Sequence, residues 1–449
     1  MFYIFGAGKF FSNRKKSIDF TDCLGFIDND EKKQGLQIEG KTVFPPEQLA
    51  KSEFDDVYIF SKQTVEMYKQ LVSLGVPKSK IHEYTELCTC NLEKAEVTFY
   101  NSSFKAADKH KVLFITNGLA LCGAITALLQ VCKLFKKRGW EITLLTDTDG
   151  AARSLYTNLG VEIIIDTRMR LISLNKLGYE EKYDIFFFNA LQIANVISNF
   201  STAKKVFWWL HEPEEYYALN IFYESYINRI NLPNLKVYGV GERACEPFRR
   251  RSDKIKIESL LYALPDIKVD NNSKHFKIAC IGLLSDVKGQ DLLLDVFERG
   301  NIPDDVELHL IGDNSTFFAQ NIIARAEKLN NVVIRGEISQ NEITFEYKSI
   351  NLLICPSRTD CMPTVVAQAM QNEVPVMLSD ACGTVNYIHD MKDGVVFRAE
   401  NTDDLSLKLS WALSHRAELM EIGKNGRKIY EKYFTIDSLD SKIGSMLNG

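Results

Sequence analysis

Short apolar runs punctuate this chain, each closed by a glycine or a polar turn. They include Phe2–Phe5, Val57–Phe60, Lys111–Thr116, Ile185–Phe188, Lys205–Leu210, Phe276–Gly282, Val306–Ile311, Leu352–Cys355 and Val374–Leu378. Their β-branched and aromatic content predicts buried strands. Between them lie stretches of roughly ten to fifteen residues with helical spacing, which predicts crossovers and hence parallel βαβ sheets. The fold class is α/β: an N-terminal Rossmann-like domain over residues 1–92, then two facing Rossmann-like domains over 111–268 and 269–430 with a cleft between them. The polar segment 93–110 reads as a linker, and 431–449 as a C-terminal helix crossing back to the middle domain. Ligands of such sheets belong at the carboxyl ends of the strands, where helix N-termini gather.

Composition narrows the partners. The 449 residues are 45% hydrophobic and 25% charged, with a formal net charge of −5. This slight acidity argues against nucleic acid, whose phosphate backbone needs a basic surface. No run reaches the roughly 18 apolar residues of a spanning helix. The N-terminus MFYIFGAGKFF runs straight into a strand without signal-peptide order. Ten scattered cysteines suit a reduced, cytoplasmic protein. Cys88 and Cys90 form a lone Cys-x-Cys with no second pair, so no metal site is expected.

The segment Cys355–Asp380 carries the most chemical information. A strand ends at Cys355, a polar loop closes at Pro363, and a helix runs from Thr364 to Gln371. Such a turn aims unpaired amides and a positive dipole end at whatever lies above the sheet. Asp360 stands in the loop and Gln368 about one turn into the helix. Together they suit a sugar joined to a diphosphate, with sugar hydroxyls for Asp360, phosphate oxygens for the amides and ribose for Gln368. An ordinary βα turn gives the same pattern. Lys288, after the strand ending at Gly282, stands where it can neutralise a diphosphate; alone it reads equally as a solvated loop lysine.

His211 follows an aromatic strand in the middle block, and the turn Asn117–Ala124, containing Gly123, permits close backbone approach to a donor phosphate or an acceptor. In the first block, Gly6 and Gly8 fit a phosphate-cradling turn, and Asp28 fits a ribose hydroxyl contact. The third glycine of that pattern is missing, with Phe11 in its place. The first block therefore reads either as a nucleotide site or as a docking or oligomerisation module.

From Gly123 onward, the ordered fragments resemble the retaining GT-B glycosyltransferases of family four. They comprise Trp-Leu-His-Glu ending at Glu212, Val-Gly-Glu ending at Glu242, Lys288-Gly289-Gln290-Asp291, Ile334-Arg335-Gly336, Pro356–Asp360, Met362–Val366 and Gly383–Ile388. The resemblance implies that Lys288 meets the donor diphosphate and Asp360 the donor sugar. It also places Gly282, Met362, Pro363 and the amides of Thr364 and Val365 around the sugar and phosphates. Gln368 then meets the ribose, Arg335 and Gly336 lie near the base, and His211 reaches the donor sugar from the other domain. Four positions depart from the family pattern: Asp360 and Gln368 where the family usually has glutamates, Leu283 where it often has arginine, and Asn386 where an acidic residue is common. The first block resembles the small Rossmann-like domain of PglD-type sugar acetyltransferases, through Phe5–Lys9 and Gly25–Asp30.

These resemblances imply a metal-independent transferase without cofactor. Its donor is a UDP-, GDP- or dTDP-linked sugar, and its acceptor a glycan or lipid-linked glycan of surface polysaccharide synthesis. Peripheral contact with the inner face of the cell membrane, through Lys133–Trp140 or Arg249–Arg251, and homo-oligomerisation stay open. Three rival readings are an inactive, sugar-nucleotide-binding scaffold, a nicotinamide oxidoreductase using the first block, and a sugar-nucleotide epimerase of the same fold.

Overall fold

The computed structural model describes residues 1–12, 14–61, 64–88, 97–101, 110–267 and 275–448. Cys90 and most of the predicted linker lie outside these residues. The chain gathers into two units, Met1–Tyr238 with Glu246–Ile257, and Gly239–Cys245 with Glu258–Gly449. Among the described residues, no helix is long and apolar enough to cross a membrane.

The first unit contains two sheets. The N-terminal one joins β1 (Phe2–Phe5), β2 (Cys23–Ile27), β3 (Gln37–Ile38), β4 (Lys41–Phe44), β5 (Asp56–Ile59) and β6 (Ile81–Glu83) in the order β3-β4-β2-β1-β5-β6. All neighbours are parallel except the β3–β4 pair. Its core is strongly aromatic, with Phe11 against Phe20, Phe26 and Phe60.

The second sheet comprises β7 (Val97–Tyr100), β8 (Lys111–Thr116), β9 (Glu141–Thr146), β10 (Glu162–Asp166), β11 (Ile185–Asn189), β12 (Lys205–Leu210), β13 (Leu235–Gly239) and β14 (Ile257–Ser259). Their order is β14-β13-β12-β11-β8-β9-β10-β7. Part of the stretch read as linker is therefore strand: β7 pairs antiparallel with β10, from Ile163↔Tyr100 to Asp166↔Val97. None of its side chains is buried and Phe99 is exposed. Ladder pairing holds this edge rather than apolar burial, so its sequence carries no strong alternation.

The two sheets of this unit are joined by a buried polar network. Glu83, at the end of β6, accepts hydrogen bonds from Asn220 Nδ2 (2.8 Å), Thr85 Oγ1 (2.9 Å) and the Tyr226 hydroxyl. Thr64 donates its amide to Leu219 O (3.1 Å) and receives the Ile221 amide on Oγ1 (3.1 Å). Buried polar groups need such partners, since each unmet one costs about 1–3 kcal/mol.

The second unit carries β15 (Phe276–Ile281), β16 (Val306–Ile311), β17 (Val332–Gly336), β18 (Leu352–Cys355), β19 (Val376–Ser379) and β20 (Val395–Phe397). The order is β17-β16-β15-β18-β19-β20, parallel throughout. The apolar strands β15 and β18 are fully buried, as both faces of a parallel sheet must be. Strand order reverses between β15 and β18, and the carboxyl ends flanking such a reversal form the ligand crevice of doubly wound sheets. Helices Arg416–Tyr433 and Ile436–Asn448 belong to this unit.

Candidate functional site

The loops leaving β15 and β18 converge at that reversal. A 3-10 turn, Asp286–Lys288, precedes the helix Gln290–Glu298, and Gly289 joins them in the left-handed conformation (φ 68°). A Cβ at Gly289 would stand 2.3 Å from Pro356 O, so only glycine lets the two loops close. Lys288 Nζ then lies 2.5 Å from Asp360 Oδ2. Burial works against the Lys288 charge, but the Asp360 carboxylate outweighs it and raises the pKa well above the ordinary lysine value.

Backbone pairing holds the Asp360 loop. Asp360 Oδ1 accepts from Met362 N (3.2 Å), Asp360 O accepts from Gly383 N (2.9 Å), and Tyr262 donates its hydroxyl to Pro363 O (3.2 Å). The helix Thr364–Gln371 follows with Pro363 at its N-cap and no side chain capping it. Its first amides and dipole end therefore face the same loop as Lys288. Tyr347 donates to Val365 O (3.0 Å) and lies 3.4 Å from Gln368 Oε1. Gly282 leaves β15 with an added Cβ falling 3.7 Å from Lys288 Cε. Thus Gly282, Lys288, Asp360, Met362, Pro363, Thr364 and Val365 share one sheet end, and Gln368 lies about one turn further along the helix. Arg335 and Gly336 end β17, two strands from β15, where Arg335 pairs with Glu346 (3.0 Å).

One residue of this site had no individual signal in the sequence. Arg358 grips Asp291 with both guanidinium arms (3.0 and 2.7 Å), donates to Asp286 O (2.6 Å), and gives its amide to Val287 O (2.8 Å). It thus ties the Lys288 turn to the Asp360 loop. Its charge is committed to Asp291.

The other predicted residues lie in the first unit. Gly123 is exposed and opens the helix Gly123–Lys137. His211, just past β12, places Nε2 3.0 Å from Asn189 Oδ1 and donates its amide to Glu212 Oε2 (2.8 Å). Burial lowers the His211 pKa to about 3, so the ring is neutral. Burial raises the Glu212 pKa to about 7, against the amides of His211 and Leu191 that favour its anion. In the N-terminal sheet, Gly6 (φ 106°) opens the turn after β1. Near Gly8, both Asp28 oxygens meet the chain: Oδ2 accepts from Ala7 N (2.8 Å) and Lys33 Nζ (3.1 Å), Oδ1 from Asp30 N (2.9 Å). Among the described residues no cluster of metal-ligating side chains occurs.

With this geometry in place, the likeness to known proteins becomes specific. Residues 266–429 match the family described as glycosyl transferases group 1. Residues 2–82 match the family described as C2185-like, N-terminal. An uncharacterized glycosyltransferase of Methanocaldococcus jannaschii is 22% identical over 153 residues, 34% of this chain and 42% of that protein. The poly(ribitol-phosphate) alpha-N-acetylglucosaminyltransferase of Staphylococcus aureus is 25% identical over 198 residues, 42% of this chain and 39% of that protein. The match thus spans less than half of either relative. HepE of Anabaena, solved in complex with UDP-glucose, superposes with a TM-score of 0.65 at 15% identity, covering 75% of this chain and 99% of HepE. The mixed α/β fold, with its parallel Rossmann-like sheets, is that of GT-B glycosyltransferase structures.

Proposed function

We propose that this protein is a retaining glycosyltransferase that moves a sugar from a nucleotide-sugar donor to a glycan or lipid-linked acceptor in surface polysaccharide synthesis. The observation that carries the reading is the Lys288–Asp360 pair at the carboxyl ends of β15 and β18, beside an uncapped helix N-terminus. The group 1 match over 266–429 and the fold shared with a UDP-glucose complex support it.

In this reaction the bond from the anomeric carbon to the diphosphate breaks and a bond to the acceptor oxygen forms on the same face. The acceptor's hydroxyl proton passes to the departing phosphate oxygen, and a nucleoside diphosphate leaves. Lys288 and the amides at Thr364 and Val365 stabilise the charge that grows on the leaving group. Asp360 both orients the ammonium and accepts a sugar hydroxyl. With this charge supplied by the chain, no metal or cofactor is required.

The test is a panel of UDP-, GDP- and dTDP-sugars, scored first by thermal shift and then by diphosphate release with a glycan or lipid-linked acceptor. One donor should raise the melting temperature and be turned over with retention at the anomeric carbon. Inversion would refute the retaining mechanism. Tight donor binding without turnover would instead favour a binding protein, the reading suggested by Gln368 and Leu283.

A further inference from the structure

The second sheet has its own strand-order reversal, between β8 and β11, and its carboxyl end is unusually polar inside. Thr116 ends β8 and Asn189 ends β11, paired directly across the reversal. Both are 0% exposed, and Thr116 Oγ1 and Asn189 Nδ2 have no hydrogen-bond partner among the described residues. Buried polar atoms without partners are rare in folded proteins and ask for an explanation.

The next residue is strained. Ala190 has φ 82° and ψ 157°, a region that is close to glycine-only. The end of β12 holds it there: the Ala190 amide donates to Trp209 O (2.8 Å), and the Trp208 indole donates to Ala190 O (2.9 Å). Glu212 Oε2 closes the knot, accepting from both Leu191 N (3.0 Å) and His211 N (2.8 Å). The result is to fix Asn189 Oδ1 against His211 Nε2 at 3.0 Å.

With the Asn189 amide in this orientation, its oxygen at that distance requires a proton on Nε2. We propose that Asn189 is a positioning residue that holds His211 as its Nε2–H tautomer, leaving Nδ1 as a hydrogen-bond acceptor. A ligand reaching Nδ1 must therefore bring a donor, which selects a hydroxyl over a carbonyl or ether oxygen. The depressed His211 pKa agrees, because an imidazolium would have no free lone pair to offer. Only the naming of that ligand as a sugar rests on the transferase reading; the tautomer does not.

The experiment uses the full chain labelled with 15N-histidine, with the His211 signals assigned by their loss in His211→Gln. Two-bond proton–nitrogen spectra from pH 4.5 to 8 should show Nε2 protonated and Nδ1 bare throughout. Asn189→Ala should convert this to a mixture of tautomers. A proton on Nδ1 in the wild type, a His211 titration near pH 6.5, or an unchanged tautomer in Asn189→Ala would each overturn the assignment. Failure of the transferase reading shows separately, as absence of diphosphate release from the donor panel with the wild-type spectra as expected.

Discussion

Lys288 Nζ and Asp360 Oδ2, 72 residues apart in sequence, meet at 2.5 Å where two adjacent parallel strands end. The pair is partly exposed, with side chains 31% and 15% accessible, so a ligand can reach it without unfolding either loop. Replacing Lys288 by alanine should lower turnover by about 10²–10³, the size of losing one preorganised charge-stabilising donor. The circular dichroism spectrum should be unchanged. Because Asp360 raises the pKa of Lys288, its stabilising contribution is complete below the unfolded-state lysine value of about 10.4 and disappears only as pH rises through the higher folded value. A kcat profile of the wild type should accordingly show no basic limb from this group below about pH 10.

Arg358 braces the turn that carries Lys288. Its two-armed grip on Asp291 and its bonds to the 286–287 backbone cannot be reproduced by a lysine, which lacks the planar fork. Arg358→Lys should cost about 1.5–3 kcal/mol of stability, the range for charge-assisted hydrogen bonds. It should also lower kcat more than it raises donor KM. Urea unfolding and steady-state kinetics on the same preparation check both.

Glu83 is the joint between the sheets of the first unit. Glu83→Ala strands Asn220 and Tyr226 without their acceptor, and should destabilise the unit by about 2–4 kcal/mol. A double-mutant cycle between Glu83→Ala and Asn220→Ala should return a coupling above about 0.5 kcal/mol, as expected for residues in one network.

Glu212 makes stability pH-dependent. Its folded pKa of about 7 exceeds the unfolded value of about 4.3, so the folded state holds the extra proton. Its contribution is complete below the unfolded value and is lost as pH rises through about 7. Glu212→Gln should therefore gain on the wild type from about pH 4.3 to about 7 and hold a constant advantage above that, measured as melting temperature against pH.

Ala190→Gly removes the steric cost of the positive φ. The gain from relieved strain, about 1–3 kcal/mol, exceeds the about 0.5–1 kcal/mol of added chain entropy. The melting temperature should rise. A fall would mean that the backbone at Ala190 is not strained.

Which residues could be read from the sequence follows from the range of the interactions that place them. Lys288, Asp360 and the helix at Thr364 each sit in a short strand–turn–helix segment whose apolar run and turn residues are contiguous. Arg358 is visible in the same segment, but its partner Asp291 is 67 residues away, and nothing local says that its charge is spent there. Edge strand β7 escaped because its side chains are not buried, leaving no alternation to detect. Glu83 and Asn220 are 137 residues apart, and no local pattern of residue types pairs them.

By itself the sequence determined the α/β class, the parallel strands and which turns follow them, because apolar periodicity and glycine turns act over a few residues. Only the tertiary structure decided that Lys288 and Asp360 touch, that Ala190 is held in a strained conformation and that Asn189 faces His211. Those outcomes depend on strand order and register, which bring distant strand ends side by side; no local pattern of residue types encodes that adjacency.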